Sequence, residues 1–145
     1  MLFDFDLEFV IIKREKLRGR DMTKIAVLSD IHGNTTALEA VLADAQKSEV
    51  DEYWLLGDIL MPGTGRKNIL QTLETLPITL RILGNWEESL WRACHRQLDE
   101  SRPSHRYLLR QCQYIMEELS IEEIEALQDY PLQVNSQFGD LKLGI

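Results

Sequence analysis

The feature that most constrains the fold is a regular alternation of apolar runs and helical segments in the first half of the chain. Three short runs are apolar almost throughout: KIAVLS (24–29), EYWLLG (52–57) and ITLRIL (78–83). Runs of this kind are typical of strands that are buried on both faces of a parallel sheet. Because a helical segment separates each run from the next, the sequence predicts an α/β fold whose helices lie on the sheet faces.

The two intervening helices are predicted from their capping and stop residues. Asn34 is suited to cap the first helix, and Pro77 ends the second, which is expected over residues 66–76. Apolar residues recur at helical spacing on one face of the first helix, which carries Leu38, Val41, Leu42 and Ala45. We expect this face to pack on the sheet.

Beyond Asn85 the pattern becomes helical, and residues 86–130 are predicted to form a flap over the sheet edge. Two helices are expected, over 86–98 and 107–119, on either side of a break at DESRPS (99–104). The arginines of this flap could contact an anionic group of a ligand, such as a phosphate, but the many acids nearby favour ordinary solvent exposure. These arginines are Arg92, Arg96, Arg102, Arg106 and Arg110.

The flap is predicted to end in a short helix and the chain in a hairpin. Ser120 and Glu123 form a capping-box pattern for the helix, and Pro131 ends it. The hairpin is expected from LQVNSQF (132–138) and LKLGI (141–145), which alternate around Gly139 and Asp140.

Residues 1–21 fit this pattern poorly and are interpreted as an N-terminal extension, with Met22 as the natural start and 22–145 as the domain. The segment carries acids before its apolar patch and bases after it, which is the reverse of a secretory signal peptide. No apolar stretch approaches the roughly 20 residues that span a bilayer. Cys94 and Cys112 match no ligand spacing and are expected to be small, buried or half-buried residues. We therefore expect a cytoplasmic protein with no membrane partner.

The charge of the chain limits its partners. It carries 24 acidic and 16 basic residues, a formal net charge of −8. A surface of this sign disfavours general nucleic-acid binding, because phosphate contacts depend on positive surface charge. A phosphate ester can still bind where cations reverse the local field.

Polar residues follow each of the three predicted strands. Asp30 and His32 follow the first, Asp58 follows a glycine after the second, and Asn85 follows a glycine after the third. The carboxyl ends of parallel strands meet at one sheet edge, so we expect these side chains to converge. Taken singly, each residue has an alternative role as a turn residue, a helix cap or a structural histidine. Together, their carboxylate, imidazole and amide groups favour a site for divalent ions such as Mn, Fe or Zn.

In this order the motifs resemble those of the calcineurin-like metallophosphoesterase superfamily. Its D-x-H, G-D and G-N-H-[DE] motifs correspond here to Asp30-Ile31-His32, Gly57-Asp58 and Gly84-Asn85-Trp86-Glu87. The flanks KIAVLSDIHGN and YWLLGDILMPG resemble the small prokaryotic phosphodiesterases of that superfamily. The resemblance runs from about Lys24 to the C-terminus and implies part of the family's αββα sandwich.

The resemblance also implies roles for the site residues. Asp30 and His32 would ligate a first metal, Asp58 would bridge two metals, and Asn85 would bind the second metal and the substrate. Family members use two divalent ions drawn from Mn, Fe, Zn or Ni, and we expect Mn. They cleave phosphomonoesters or phosphodiesters with a metal-bound hydroxide, so the expected partner is a small phosphoester.

The third motif departs from the family pattern. Trp86 stands where the family has a histidine that assists the leaving group, and an indole cannot shuttle a proton at neutral pH. We therefore assign no catalytic side chain and expect a preference for good leaving groups. Packing at the start of a helix is the alternative role for Trp86. Glu87 either corresponds to the acidic residue at the end of the G-N-H-[DE] motif or is a solvated acid in the first turn of the helix.

The family's later histidine motifs are absent, and His95 and His105 are assigned ordinary surface roles. We interpret the chain as a truncated member whose second metal, held only by Asp58 and Asn85, binds weakly. An uncovered sheet would favour homo-oligomers. The sequence thus predicts a metal-dependent phosphoesterase, acting on phosphodiesters and impaired by truncation. The alternative is a non-catalytic binding or regulatory protein, or an inactive remnant, on the same fold.

Overall fold

Four strands form one mixed sheet in the computed structural model, which describes residues 8–13, 23–138 and 141–145. The strands follow chain order across the sheet: β1 (Glu8–Lys13), β2 (Lys24–Ser29), β3 (Glu52–Leu55) and β4 (Ile78–Arg81). β2, β3 and β4 are parallel neighbours, whereas β1 pairs with β2 in the antiparallel sense. The predicted α/β class and the parallel arrangement of the three apolar runs are confirmed.

β1 lies in the N-terminal segment for which the sequence analysis predicted no strand. All six of its residues pair with β2, from Glu8 opposite Ser29 to Lys13 opposite Lys24. Its sequence, EFVIIK, combines β-branched residues with a charge at each end, a composition suited to an edge strand. Part of this segment therefore joins the sheet, while Met22 as the natural start stays a prediction.

The helices of the described residues follow the predicted order. Their bounds are α1 (Thr35–Lys47), α2 (Lys67–Glu74), α3 (Asn85–Cys94), α4 (Pro103–Ile115) and α5 (Ile121–Ala126). Asn34 caps α1 by accepting the backbone N–H of Ala37 at 3.0 Å. Ser120 and Glu123 form the predicted capping box of α5, in which each side chain accepts the backbone N–H of the other residue.

α4 begins earlier than the sequence analysis predicted. Pro103 belongs to the predicted break at 99–104, but in the structure it occupies the first turn of α4. Proline suits that position, because its missing N–H has no intrahelical partner there and its fixed φ is helical. Cys112 and Ile115 lie on the buried face of α4, and Leu119, just beyond its end, is also buried.

The core occupies both faces of the sheet, because side chains alternate along the strands. Ala26 and Leu28 of β2 belong to a large cluster to which all five helices contribute buried residues. The opposite face carries a smaller cluster: Ile25, Trp54, Leu80 and Ile82, with Val134 and Ile145 packed against it. The sheet therefore lies between the two clusters. Because β2, β3 and β4 are parallel, their C-terminal ends are held along the same edge of the sheet.

The predicted C-terminal hairpin is confirmed in β5 (Asn135–Phe138) and β6 (Leu141–Gly144), which pair antiparallel. Gly139 and Asp140, at its turn, lie outside the described residues. Val134 and Ile145 extend the ladder through hydrogen bonds of 2.8 and 3.0 Å. In the described part of the chain, none of the helices combines the length and the apolar character that crossing a membrane requires.

Candidate metal centre

β2 and β3 end side by side and bring Asp30, His32 and Asp58 together. Asp30 and His32 lie in the loop after β2, and Asp58 lies in the loop after β3. One ligand atom of each residue lies within 4.8 Å of those of the other two. His32 Nε2 is 3.4 Å from Asp30 Oδ1. Two carboxylates and an imidazole at this spacing fit a divalent cation of the Mn, Fe or Zn type.

The contacts of His32 determine which of its ring nitrogens is suited to bind a metal. The ring is 5% exposed, and its Nδ1 is hydrogen-bonded to the backbone carbonyl of Met61. Because a carbonyl oxygen only accepts, Nδ1 carries the proton in the neutral ring. Nε2, which points towards Asp30, is then the nitrogen whose lone pair suits a metal.

All three candidate ligands have a backbone conformation that is uncommon for residues with a side chain. The φ angles are +58° at Asp30, +48° at His32 and +56° at Asp58. Residues held in this left-handed region cluster at functional sites, where the surrounding structure offsets the strain. Here the two loops are joined by hydrogen bonds, from the His32 N–H to the Asp58 carbonyl at 2.8 Å and from Gly33 to Ile59 at 2.7 Å.

Glycines allow the loops after β3 and β4 to approach each other closely. Gly57 has a φ of +87°, and a Cβ at this position would overlap the backbone of Gly84. A Cβ on Gly84 would in turn overlap both the side chain and the backbone of Asp58. The glycine that precedes each polar residue in the G-D and G-N motifs is therefore required by packing.

Glu87 is a buried residue that joins these loops to α3. It is 2% exposed, and its carboxylate accepts the backbone N–H groups of Asp58 at 2.8 Å, Ile59 at 2.7 Å and Gly84 at 3.1 Å. Burial raises the pKa of Glu87, although the hydrogen bonds from Ile59 and Asp58 act to lower it. The solvated role considered for this residue is therefore wrong. Its position three residues after Gly84 is the capping-box spacing, a sequence signal for the bond to the Gly84 N–H but not for the bonds to Asp58 and Ile59.

Trp86 contacts two of the candidate ligands. Its backbone N–H donates to Asp58 Oδ1 at 3.0 Å, and its ring meets His32 edge-on, with centroids 5.6 Å apart. Asn85 is the exposed first residue of α3, next to Trp86 in the chain. The structure therefore places Asn85 beside the residue that binds Asp58, while its role as a ligand stays a prediction.

The local environment opposes ionisation of Asp58. Burial raises its pKa above the ordinary value, and the neighbouring Asp30 adds to this. The Trp86 N–H and His32 act in the opposite direction. A bound cation would offset the repulsion between the two carboxylates, so the electrostatics of the cluster favour the binding of a cation.

The other polar residues considered from the sequence lie apart from this cluster. His95 stacks on Trp91 with centroids 4.5 Å apart and lies 3.0 Å from a Glu125 oxygen, and His105 accepts the N–H of Asp99. Both histidines are half-buried, and their assignment to ordinary surface roles stays a prediction. The predicted solvent exposure is confirmed for Arg92, Arg96, Arg102, Arg106 and Arg110.

Comparisons with known proteins agree with the motif order. The family model for calcineurin-like phosphoesterases matches residues 23–137. A metallophosphoesterase from Sphaerobacter thermophilus is similar in structure, with 31% sequence identity, a TM-score of 0.57, and coverage of 79% of this chain and 44% of that one. A hypothetical protein from Pyrococcus horikoshii OT3 shares the fold, with 22% identity, a TM-score of 0.66, and coverage of 83% and 52%. The chain thus spans about half the length of these structures, and a search of curated proteins gave no match.

Replacing Glu87 with glutamine should destabilise the protein. An amide has only one oxygen that accepts hydrogen bonds. Its NH2 group would face a backbone N–H, and because both groups are donors, no hydrogen bond could form between them. We expect the free energy of unfolding, measured in urea, to fall by about 1–3 kcal/mol. The matched control is Glu88→Gln at the neighbouring exposed residue, which should change it by less than about 0.5 kcal/mol. Equal effects of the two substitutions would contradict the role given to Glu87.

Replacing Asp58 with asparagine should weaken the binding of Mn²⁺, measured by calorimetric titration of the full chain. Since loss of an outer partner of a metal ligand costs 10–100-fold in affinity, we expect loss of a ligand to cost at least about 100-fold. Asp44→Asn, on an exposed part of α1, makes the same chemical change away from the cluster and should leave binding unchanged. Unaltered affinity in Asp58→Asn would exclude this residue as a ligand.

Proposed function

The chain belongs to the calcineurin-like phosphoesterase family, and we propose that it is a metal-dependent phosphoesterase that hydrolyses phosphodiesters. The observation that carries the proposal is the gathering of Asp30, His32 and Asp58 within 4.8 Å in the region that matches the family. The choice of phosphodiesters is supported by the likeness of the flanks of the first two motifs to small phosphodiesterases. Mn²⁺ is the proposed metal, because the mixed oxygen and nitrogen donors suit it.

Two cations would be held by different parts of the cluster. Asp30 and His32, with Asp58, would hold the first, and Asp58 with Asn85 would hold the second. When bound, such ions act as Lewis acids towards phosphoryl oxygens and lower the pKa of a water molecule. The second cation has fewer ligands among the described residues than the first. We therefore propose that it binds more weakly.

The residues around the cluster restrict which substrates can react. Trp86 packs against His32 at the position where the family has a proton-donating histidine, and its indole cannot act as a general acid at neutral pH. The leaving group must then depart without help from this side chain. Esters of acidic alcohols, such as nitrophenol, are the substrates that this arrangement favours.

Trp86 also supports a second candidate function, a binding or regulatory protein that holds a phosphate ester without cleaving it. The cluster would then recruit cations that attract the phosphate, and the indole would pack against His32. The two functions differ in turnover, because both require metal binding but only the first releases product.

Hydrolysis of bis(p-nitrophenyl) phosphate with added Mn²⁺ should depend on Asp58. We expect the wild-type chain and the control Asp44→Asn to release nitrophenol at equal rates, and Asp58→Asn to lose the activity. Chelation of the metal should abolish the wild-type rate. If calorimetry shows Mn²⁺ bound but no nitrophenol is released, the phosphoesterase proposal is wrong and the binding function replaces it.

Replacing Trp86 with histidine should restore help to the leaving group. General acid catalysis typically contributes about 10²–10⁴-fold, and it matters most for poor leaving groups. We therefore expect Trp86→His to raise kcat for a phenyl phosphodiester by roughly 10²-fold, and for the nitrophenyl ester by much less. Trp86→Phe keeps an aromatic ring without a titratable group and should give no such selective gain. An equal gain on both esters would rule out the proposed effect on the leaving group.

A further inference from the structure

We propose that Cys94 and Cys112 form a reversible intramolecular disulfide that staples α3 to α4 when the protein meets a peroxide. Both residues are free thiols in the structure. The inference concerns a pair of residues outside the metal centre, and it does not depend on the proposed phosphoesterase activity.

The geometry of the pair carries the proposal. The two sulfur atoms are 2.6 Å apart, although the residues are separated by 18 positions in the sequence. A disulfide bond is about 2.05 Å long, so the sulfurs need to approach by only about half an ångström. Cys94 is the last residue of α3 and Cys112 lies within α4, so the bond would join two helices that already pack together.

The surroundings of the pair give the two thiols different roles. Cys112 is 3% exposed and Cys94 is half-buried, so Cys94 is the residue of the pair nearer to solvent. A hydrogen bond from the Cys94 thiol lowers the pKa of Cys112, and the nearby His95 acts in the same direction. Cys112 is therefore the sulfur with more thiolate character, which is the form that attacks an oxidant.

The reaction with hydrogen peroxide balances without another reactant. The Cys112 sulfur attacks a peroxide oxygen, the O–O bond breaks, and the departing hydroxide takes the thiol proton to leave as water. The Cys94 sulfur then attacks the resulting sulfenic sulfur, the S–O bond breaks, and the second hydroxide takes the Cys94 proton. Two thiols and one peroxide thus give one disulfide and two waters, with both sulfurs oxidised and both peroxide oxygens reduced.

The staple would connect helices that hold the loops of the metal centre. The first turn of α3 carries Trp86 and Glu87, which bind Asp58 and its neighbours. From α4, the Tyr114 hydroxyl donates to the carbonyl of Thr64 at 3.0 Å, and Arg66 donates to the carbonyl of Tyr114 at 2.9 Å. A disulfide between α3 and α4 would therefore limit how far either helix could move away from the loop after β3.

The experiment treats the reduced full-length chain with hydrogen peroxide and follows thiol content, intact mass and melting temperature. We expect both thiols to be lost together, the mass to fall by two hydrogen atoms, and a peptide map to link Cys94 to Cys112. Closing a loop of this length should raise the melting temperature by roughly 5–10 °C, and a thiol reductant should reverse the change. Cys94→Ser should give neither the linked peptide nor the rise.

Other products would overturn the proposal. These are a disulfide between two chains, a gain of oxygen atoms on the cysteines, and two thiols that remain open to alkylation after peroxide treatment. The thiol and mass measurements use the wild-type protein, so they decide the question even if Cys94→Ser fails to fold. A linked peptide without any rise in melting temperature would overturn the stapling effect.

Discussion

The geometry of the candidate metal centre depends on the buried carboxylate of Glu87. A charge removed from water is costly unless polar groups solvate it, and here the solvating groups are backbone N–H donors. Because those donors belong to the loops after β3 and β4, one side chain fixes the ends of two strands relative to each other. Asp58 is thereby held where its own carboxylate meets the first turn of α3.

The strained backbone conformations of the candidate ligands require the contacts that hold these loops together. Left-handed conformations at residues with a Cβ cost of order 1–3 kcal/mol each, so the three candidate ligands could not hold them if their two loops were isolated. Hydrogen bonds between the loops, close glycine packing and the Glu87 carboxylate supply the compensation. The result is a set of donors that needs little reordering when a cation binds, which reduces the entropic cost of binding.

Patterns that are local in sequence predicted much of the fold. The near-continuous apolar runs correctly located β2, β3 and β4, and the capping signals located the starts of α1 and α5. β1 was missed because its apolar residues lie between an acidic and a basic stretch, and the segment that contains them was therefore interpreted as an extension outside the domain. The approach of Cys94 to Cys112 depends on how α3 and α4 pack, which the spacing of the cysteines does not encode. Motif order identified Asp30, His32 and Asp58, whereas burial of Glu87 required the tertiary structure.

α3 links the two parts of the chain where chemistry is concentrated. Its first turn lies against the metal centre through Trp86 and Glu87, and its last residue is Cys94. A helix is a stiff connection, since its backbone is hydrogen-bonded along its length. A constraint imposed at Cys94 therefore acts on the same rigid element that positions Asp58. Because Trp86 is not a general acid at neutral pH, the proposed catalysis would depend on the placement of the carboxylates and His32, and α3 helps to hold Asp58 in place.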